Sequence, residues 1–442
     1  MISSKIAFKQ LLVFALPIIL GHLGLMLVGT GDMMIAGRYS SECLAAIGLA
    51  VAVANPIMIS LLGLQFSISP LLAQKRGRGE SSENYFSSVI VYSLLVSIIS
   101  CILTYISSYF VHYFGYSEKI TAIIVDYLRI GSFSAFSLCL YQGIKEYLQS
   151  NEKTVAANLA ALIAVVVNLI LNYGLVFGEF GFPELKEVGL AWASLGVRIF
   201  MSLMMVAVTW KLFKHQWRID WKFIKDAFRL GLPIACTLFF EIMAFCSVTL
   251  FVGKFGEIQS AANNIALNIG SLAFMIPMSL GAAVSVKIGH AYGMKNIHAI
   301  RTFSKVALSV SITFNIITGA IFFIFPDVFV SLFSKESEVL SWGSRLLFYV
   351  ACFQLFDGAQ VTQAGILRGL SITRAASVAV FFGYWIIGIP IGYYLGFHTG
   401  LEAIGFWQGL TLSLAVVALM LSVILQRALK RIKNEGAYVS TM

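Results

Sequence analysis

The chain reads LPIILGHLGLMLVGTGDMMIAG from Leu16 to Gly37 and LPIACTLFFEIMAFCSVTLFVG from Leu232 to Gly253. Each stretch is long and apolar enough to cross a hydrocarbon core of about 30 Å as a helix. Both begin with Leu-Pro, both end with glycine, and each has one acidic residue in its interior, Asp32 or Glu241. The two stretches therefore predict membrane-spanning helices at equivalent places in a duplicated chain.

The whole chain has the composition of a helical membrane protein. It has 442 residues, of which 59% are hydrophobic and 12% are charged, about half the charged share of a soluble domain. Apolar runs recur from end to end, so we predict an all-α protein that crosses the lipid bilayer many times. No cleavable signal peptide is expected, because the first apolar run continues as a spanning helix.

We predict twelve membrane helices, several of them longer than the roughly 20 residues that a span requires, so that they tilt or project beyond the bilayer. Their boundaries lie near 8–38, 42–74, 84–113, 120–149, 153–178, 187–213, 224–253, 258–291, 297–330, 340–369, 372–397 and 400–430.

An offset of 216 positions relates the two halves of the chain. It places Leu16 on Leu232, Pro17 on Pro233, Gly37 on Gly253, Ser69 on Ser285 and Gly77 on Gly293. Because six is an even number of spans, both copies begin on the same side of the membrane and are therefore parallel repeats. We predict two pseudo-symmetric six-helix lobes, 1–213 and 229–442, joined by a basic linker at 214–228. Two such lobes are typical of an alternating-access carrier.

The net charge of +10 reflects membrane topology. Lysine and arginine concentrate in alternate loops, which is the positive-inside pattern of the cytoplasmic side. The clusters are Lys75, Arg76 and Arg78; Lys211, Lys214, Arg218, Lys222, Lys225 and Arg229; Lys295, Arg301 and Lys305; and Arg427, Lys430, Arg431 and Lys433. We predict a multi-pass protein of the cytoplasmic (inner) membrane with both termini in the cytoplasm, and no nucleic-acid partner.

The sequence contains no familiar catalytic motif. P-loop, HExxH, GxSxG and zinc-ligand spacings are absent, so ATP-driven transport and hydrolytic chemistry are not expected. The six cysteines are scattered singly, and we interpret them as packing residues. We expect no cofactor apart from a coupling ion, and a monomer.

Three acidic residues, Asp32, Glu241 and Asp357, interrupt the apolar helices. A carboxylate near the bilayer centre costs at least about 2.5–3.5 kcal/mol, and such a residue normally faces a wet cavity, binds a cation or carries a proton. The repeat places Val248, Leu25 and Tyr141 at the equivalent positions. Packing common to both lobes would have kept the acids in both copies, so we predict a separate specialisation of each lobe.

In the first lobe, Asp32 and Asn172 fall at the same depth, about 9 Å below the outer ends of helices 1 and 5. Asn168 lies one turn from Asn172 on the same helix face. Amides can donate to an ionised Asp32 and accept from a protonated one, which suits a site whose protonation changes. The alternative is an interhelical hydrogen bond that only holds helices 1 and 5 together.

In the second lobe, Glu241 and Asp357 both fall about 18 Å below the outer surface. They could form an oxygen-rich Na⁺ pocket or share a proton, because two close carboxylates in a dry site cannot both stay ionised. The alternative is an ion pair with Arg198, which belongs to the other lobe.

Four further polar residues, His22, Asn263, Asn264 and Asn268, could line a pathway or serve as hydrogen-bonded packing residues. Pro17 and Pro233 lie at matched positions early in helices 1 and 7 and could let these helices bend.

The chain resembles the MATE (multidrug and toxic compound extrusion) family, of the NorM type, over nearly its whole length. The resemblance rests on LFFEIMAF around Glu241, the segment from Ala261 to Gly293, FDGAQVTQAGILRG from Phe356 to Gly369, and the Asp32 region with its asparagine pair. It implies the MATE fold of the MOP superfamily, with two lobes around a V-shaped cleft, and export of small organic cations against inward Na⁺ or H⁺. It also implies that Glu241 and Asp357 form the cation-coupling pair, with Na⁺ as a candidate ligand, and that Asp32, Asn168 and Asn172 form the N-lobe polar cluster.

The sequence departs from the family pattern at two of these positions. Phe353 stands where NorM-type sequences often have tyrosine, so a hydroxyl that could serve Na⁺ is absent. Asn172 stands where some relatives have aspartate, so Asp32 is the only acid of its cluster.

Two other functions compete with antiport. The wider superfamily includes flippases for lipid-linked precursors, which would need Arg or Lys inside the cleft. A membrane-embedded enzyme would need a nucleophile–base pair or a metal set, and none is visible.

Overall fold

The computed structural model describes residues 3–214 and 217–439. Twelve helices in this part of the chain are long and apolar enough to cross a membrane. They are α1 (Ser4–Tyr39), α2 (Ser41–Gly77), α3 (Ser82–Phe114), α4 (Glu118–Ser150), α5 (Val155–Phe177), α6 (Glu187–Val208), α7 (Trp221–Phe255), α8 (Glu257–Gly293), α9 (Ile297–Ile324), α10 (Ser337–Gly369), α11 (Arg374–His398) and α12 (Glu402–Val439). The all-α prediction with twelve membrane helices is confirmed.

Three predicted helix ends were wrong, and the simplest case is the twelfth helix, which was expected to end near 430 but continues to Val439. The ninth helix was expected to run to 330, but α9 ends at Ile324 and a short helix follows at Pro326–Ser331. Phe325 leaves the helical region (φ −123°, ψ 44°) because a residue before proline disfavours the α conformation. The sixth helix was expected to run to 213, but it ends at Val208, where the Thr209 hydroxyl donates to the Met205 carbonyl over 2.7 Å.

The chain forms two compact units, Leu16–Ala235 and Met1–Ala15 with Cys236–Met442. The unit boundaries lie within α1 and α7. The predicted lobes and linker stay a prediction, and residues 215–216 of that linker and both chain termini lie outside the described residues.

In the first unit, α1 and α5 approach each other closely. A row of alanines on α5, including Ala157, Ala161 and Ala164, is fully buried. A Cβ added to Gly24 of α1 would lie 2.9 Å from the Ala161 carbonyl oxygen. Small residues allow this backbone contact, which is a common way to join helices in membranes. The contact sets the register between the two helices and so places Asp32 beside the asparagines of α5.

In the second unit, α10 packs against α8, α9 and α12. Glycines again bring backbones together, since a Cβ on Gly365 of α10 would lie 2.3 Å from the Gly281 carbonyl oxygen of α8. Between Phe382 and Gly388, α11 changes to a π-helical turn. Such turns are rare and occur frequently at functional sites. This one contains Tyr384 and Trp385.

Candidate functional site

The N-lobe cluster consists of Asp32, Asn168, Asn172 and Ser194. Asp32 Oδ1 accepts hydrogen bonds from Asn168 Nδ2 (2.7 Å) and Asn172 Nδ2 (2.8 Å), and its Oδ2 accepts one from Ser194 Oγ (2.8 Å). Asp32 is 8% exposed and both asparagines are fully buried. The structure therefore brings together the three residues that the sequence predicted, and α6 adds the serine.

Each of the three hydrogen bonds stabilises a negative charge on Asp32, whereas burial of the carboxyl opposes it. A Cβ on Gly31 would lie 2.8 Å from Asn168 Oδ1, so the glycine beside Asp32 makes room for that amide. Ser194 could not be recognised from the sequence, because an isolated serine in an apolar helix is usually a packing residue.

The two amides leave their oxygens unused. Asn168 Oδ1 and Asn172 Oδ1 are buried and accept no hydrogen bond from any residue that the structure describes. Buried polar atoms normally have a partner, so these oxygens are available to bind a water molecule, a proton donor or a cation. Together with the carboxylate they offer the oxygen ligands that hard cations prefer.

A small cavity adjoins the N-lobe cluster. Its volume is about 30 Å³, enough for one or two water molecules. It is lined by Val51, Ala54, Asn55, Met58, Thr104, Tyr127, Leu128, Gly131, Ser134, Ala191, Ser194 and Arg198. Ser194 thus borders the cavity and holds Asp32, which places the carboxyl next to a polar, water-sized space.

The C-lobe site contains Glu241, Asp357 and Tyr384. Tyr384 is fully buried, and its hydroxyl lies 3.4 Å from Glu241 Oε1, to which it donates. Asp357 is 7% exposed and lies within electrostatic range of Glu241 and Tyr384. The next residue, Trp385, donates from Nε1 to the Phe240 carbonyl over 3.1 Å. The π-helical turn of α11 therefore contacts both the Glu241 side chain and the backbone carbonyl of the residue before it.

No basic residue neutralises this pair within the described part of the chain, where none of the ion pairs includes Glu241 or Asp357. Arg198, the alternative partner, donates to Met58 Sδ over 3.7 Å in the other unit. Two carboxyl groups beside one tyrosine hydroxyl can hold a proton or contribute oxygen ligands to a monovalent cation.

Phe353 lies one turn from Asp357 and packs edge-to-face with Phe245 and Trp407. Its ring brings no hydroxyl to the site. Tyr384 of α11 supplies a hydroxyl instead, from a helix that the sequence did not single out, and the π-helical turn was not visible in the apolar run FGYWIIG.

The remaining predicted polar residues do not form one path. Asn263 is fully buried and accepts from Trp407 Nε1 over 3.0 Å, so it joins α8 to α12. Asn264 and Asn268 are exposed on another side of α8, where Asn268 Nδ2 donates to the Asn264 carbonyl over 2.8 Å. His22 is 9% exposed and lies in α1, ten residues before Asp32. Lys145 of α4 lies within electrostatic range of His22.

Lys145 is a further buried charge that the sequence analysis did not consider. It is 1% exposed, and its Nζ lies 6.0 Å from the centroid of the Tyr141 ring. Glu146, also buried, follows it in the chain and accepts from Gln142 Nε2 over 2.8 Å. The opposite charges of Lys145 and Glu146 offset each other in this part of α4.

Comparison with known proteins places the chain in a family. The family model MatE matches residues 17–174 and 233–394. The probable multidrug resistance protein NorM of Rhizobium meliloti (strain 1021) is 30% identical, over 97% of this chain and 95% of the relative. The multidrug resistance protein NorM of Vibrio cholerae serotype O1 is 30% identical, over 93% and 94%.

Solved structures have the same fold. The eukaryotic MATE transporter AtDTX14 superposes with a TM-score of 0.86 at 20% identity, over 97% of this chain and 99% of that one. An outward-facing multidrug resistance MATE transporter of the MOP superfamily gives a TM-score of 0.85 at 19% identity, over 97% of each chain. The chain is a multi-pass membrane protein that belongs to the MATE family, whose members are transporters and not enzymes.

Proposed function

We propose that this transporter exports cationic and amphipathic organic compounds across the cytoplasmic membrane in exchange for inward Na⁺ or H⁺. The observation that carries the proposal is the set of three acids within membrane-spanning helices, the buried Asp32 and Asp357 and the partly buried Glu241, none of which has a basic partner within ion-pair distance among the described residues. The names of the relatives, multidrug resistance proteins of the NorM type, support the same function.

Charge neutrality links the ion to the compound that is exported. An unpaired carboxylate in an apolar interior is unfavourable, so each acid is most stable when a cation or proton neutralises it. An organic cation and the coupling ion both reduce the same negative charge. Binding of one therefore weakens binding of the other, and this coupling is reciprocal. Exchange across the membrane follows if the two bind on opposite sides.

In the described arrangement of the N-lobe cluster, Asp32 accepts hydrogen bonds from three neutral donors. A proton on the carboxyl would turn it into a donor, and Asn168 Oδ1 or Asn172 Oδ1 could accept from it. Na⁺ would instead use these amide oxygens and the carboxylate as ligands. Either ion changes the hydrogen bonds that join α1, α5 and α6, and so gives the two ion states different preferred packings.

In the C-lobe site, Glu241 and Asp357 act on each other as like charges, which opposes ionisation of both. One bound cation or proton relieves that repulsion. Ion binding from outside would favour the state that releases the exported compound, and the compound and the ion need not occupy the same lobe.

A lipid-linked-precursor flippase remains the alternative. Such a carrier needs basic side chains that are free to bind phosphate. The buried Lys145 lies beside Glu146, and Arg198 borders the cavity next to Asp32. Asp32, Glu241 and Asp357 outnumber these two basic side chains, which favours a cationic substrate over a phosphate group.

The positive-inside charge pattern supports cytoplasmic termini, and we propose that the monomer works with no cofactor besides its coupling ion. The decisive experiment uses purified protein in liposomes with a fluorescent organic cation, and a Na⁺ gradient and a pH gradient imposed separately. Transport driven by one gradient alone identifies the coupling ion. If neither gradient drives transport of any organic cation tested, while a fluorescent lipid-linked pyrophosphate is flipped, the flippase takes the place of the antiporter.

A further inference from the structure

Arg198 lies near the middle of α6, a helix that spans the membrane. Its recorded hydrogen bond goes to a weak acceptor, Met58 Sδ, at 3.7 Å. None of the ion pairs among the described residues includes it. A guanidinium is always charged, and a charge at this depth is by default functional, with a partner to be identified.

Asp32 is an acid that the structure connects to the same part of α6. Ser194 precedes Arg198 by one helical turn on the same face of α6, and the Ser194 hydroxyl binds Asp32 Oδ2. Arg198, Ser194 and Tyr127 line the same cavity. Asp32 and Arg198 lie within electrostatic range of each other and of Tyr127.

The cavity provides room for the guanidinium to move. It is about 30 Å³ in volume, and two of its hydroxyls, Ser134 Oγ and Thr104 Oγ1, have no hydrogen-bond partner among the described residues. Side chains on a helix lean toward its N-terminus, which for Arg198 is the direction of Ser194 and Asp32. Arginine has a long flexible stem and a planar fork that matches a carboxylate.

We propose that Arg198 is an internal counter-cation, which pairs with Asp32 across this cavity when the coupling ion has left and withdraws when the ion binds. The proposal rests on the proposed function, since it assigns the ion to Asp32. In the described arrangement Arg198 contacts Met58, and Asp32 is held by its three neutral donors. Pairing would keep the ion-free lobe neutral during the drug-carrying half of the cycle. Because the ion must displace Arg198, the arginine would also weaken ion binding enough for release into the cytoplasm.

The first test measures pairing without reference to transport. Thermal unfolding is recorded in nanodiscs for wild type, Asp32→Asn, Arg198→Met and the double variant. Pairing predicts that the midpoint shift of the double variant is clearly smaller than the sum of the single shifts, because each single change leaves the partner's charge unpaired. Arg129→Met is the matched control, since Arg129 is exposed on α4 and stacks on Tyr109. It should be additive with Asp32→Asn. Additive shifts for Asp32→Asn and Arg198→Met would overturn the proposal.

The second test measures the ion. The binding of ²²Na⁺ at fixed pH, and proton uptake without Na⁺, are each titrated, and the component lost in Asp32→Asn is taken as binding at Asp32. Removing a unit positive charge several ångströms away should strengthen that component at least about tenfold in Arg198→Met. The same change should slow export. Arg198→Lys keeps the charge but lacks the planar fork, so it should lie between wild type and Arg198→Met. Unchanged affinity in Arg198→Met would reject the counter-cation role.

The two tests separate the two proposals. If the unfolding data show coupling between Asp32 and Arg198, but no Na⁺ or H⁺ binding depends on Asp32, the pair exists and the assignment of the ion is wrong. If ion binding depends on Asp32 but is unchanged in Arg198→Met, and the unfolding shifts are additive, the ion assignment stands and the counter-cation role is rejected. Arg198→Gln serves as a second neutral variant if Arg198→Met does not fold.

Discussion

Ser194 donates a hydrogen bond to Asp32 over 2.8 Å, although 162 positions separate the two residues in the chain. The bond adds α6 to the α1–α5 contact and makes the N-lobe cluster a junction of three helices. A change in the charge of Asp32 therefore alters hydrogen bonds to both α5 and α6 at once.

Ser194→Ala tests this junction. A hydrogen bond to a charged group contributes about 1.5–3 kcal/mol, so loss of this donor makes the Asp32 carboxylate less stable when it is free. We expect the site to bind Na⁺ or H⁺ about tenfold more tightly and export to slow, as measured in ion titrations and liposome transport. The control is Ser202→Ala, two turns along α6, where the hydroxyl donates to the Ser137 carbonyl instead. Ion binding equal in both variants would exclude a role for Ser194.

Glu241→Gln and Asp357→Asn test the C-lobe pair. Each change removes a negative charge with little change in shape, so we expect export to be abolished while expression and folding are kept. Drug resistance of cells and detergent-solubilised yield are the two measurements. Glu257→Gln, at the exposed start of α8, is the control and should transport normally. Near-normal resistance in both acidic variants would reject the coupling role.

Tyr384→Phe should change ion binding in opposite directions for H⁺ and for Na⁺. The Tyr384 hydroxyl donates to Glu241 Oε1, so its loss destabilises the free carboxylate and should strengthen proton binding several-fold. If Na⁺ is the ion, the same change removes an oxygen ligand and should weaken Na⁺ binding. Tyr393→Phe, on the same helix and 44% exposed, is the control. A variant with wild-type response to both ions would show that Tyr384 only packs.

Gly358→Ala should strongly destabilise the second unit. An added Cβ would lie 1.5 Å from Asn315 Nδ2 and 3.0 Å from Ser311 Oγ, so α9 and α10 must move apart. Overpacking of this kind typically costs about 1–3 kcal/mol. The clash is with side-chain atoms, so thermal unfolding should show a lower midpoint that is partly restored when Asn315→Ala removes the amide. Gly29→Ala meets nothing within 4 Å and should be neutral or slightly stabilising. Equal midpoints for Gly358→Ala and Gly29→Ala would contradict this packing.

The contacts of Glu80 with Lys75 and Tyr85, in the turn between α2 and α3, should be sensitive to acid. Burial by itself raises the pKa of Glu80, but hydrogen bonds from Tyr85 and Lys75 and the positive charges of Lys75 and Arg78 outweigh it and hold the pKa below its ordinary value. A lowered carboxyl pKa stabilises the fold above the unfolded value, near 4.3, and this contribution is lost as pH falls through the lower folded value. Glu80→Gln should therefore be less stable than wild type at pH 7, with the difference shrinking below about pH 4.3.

Unfolding midpoints measured from pH 7 to pH 3 test this prediction, with the exposed Glu179→Gln as control. A difference between Glu80→Gln and wild type that stays constant across this range would contradict it.

Depth could be predicted from the sequence, because a helix rises about 1.5 Å per residue. That arithmetic put Asp32 level with Asn172, and the structure joins them. Rotation about the helix axis could not be predicted equally well. Ser194 and Tyr384 face the two acids, but neither stands out in an apolar run. Asn263 was grouped with Asn264, although the two point to different sides of α8.

The break at Phe325 illustrates a different limit. Pro326 was present in the sequence, but the hydrophobic run continued past it and suggested one helix. Local backbone sterics ended that helix in spite of the hydropathy. The roles of the intramembrane charges Lys145 and Arg198 were hard to predict for a related reason, since they depend on neighbouring side chains from other helices.

The π-helical turn of α11 ties two contacts to one backbone geometry. Phe381, just before the turn, packs on Phe240, and Tyr384 within it reaches Glu241. Tightening the turn to an ordinary α-helix would rotate one side against the other by about 100° for the displaced residue. The contact of Phe381 with Phe240 and the hydrogen bond of Tyr384 to Glu241 could then no longer form together. Insertions or deletions next to this turn should therefore be far less tolerated than substitutions on the lipid-facing side of the same helix.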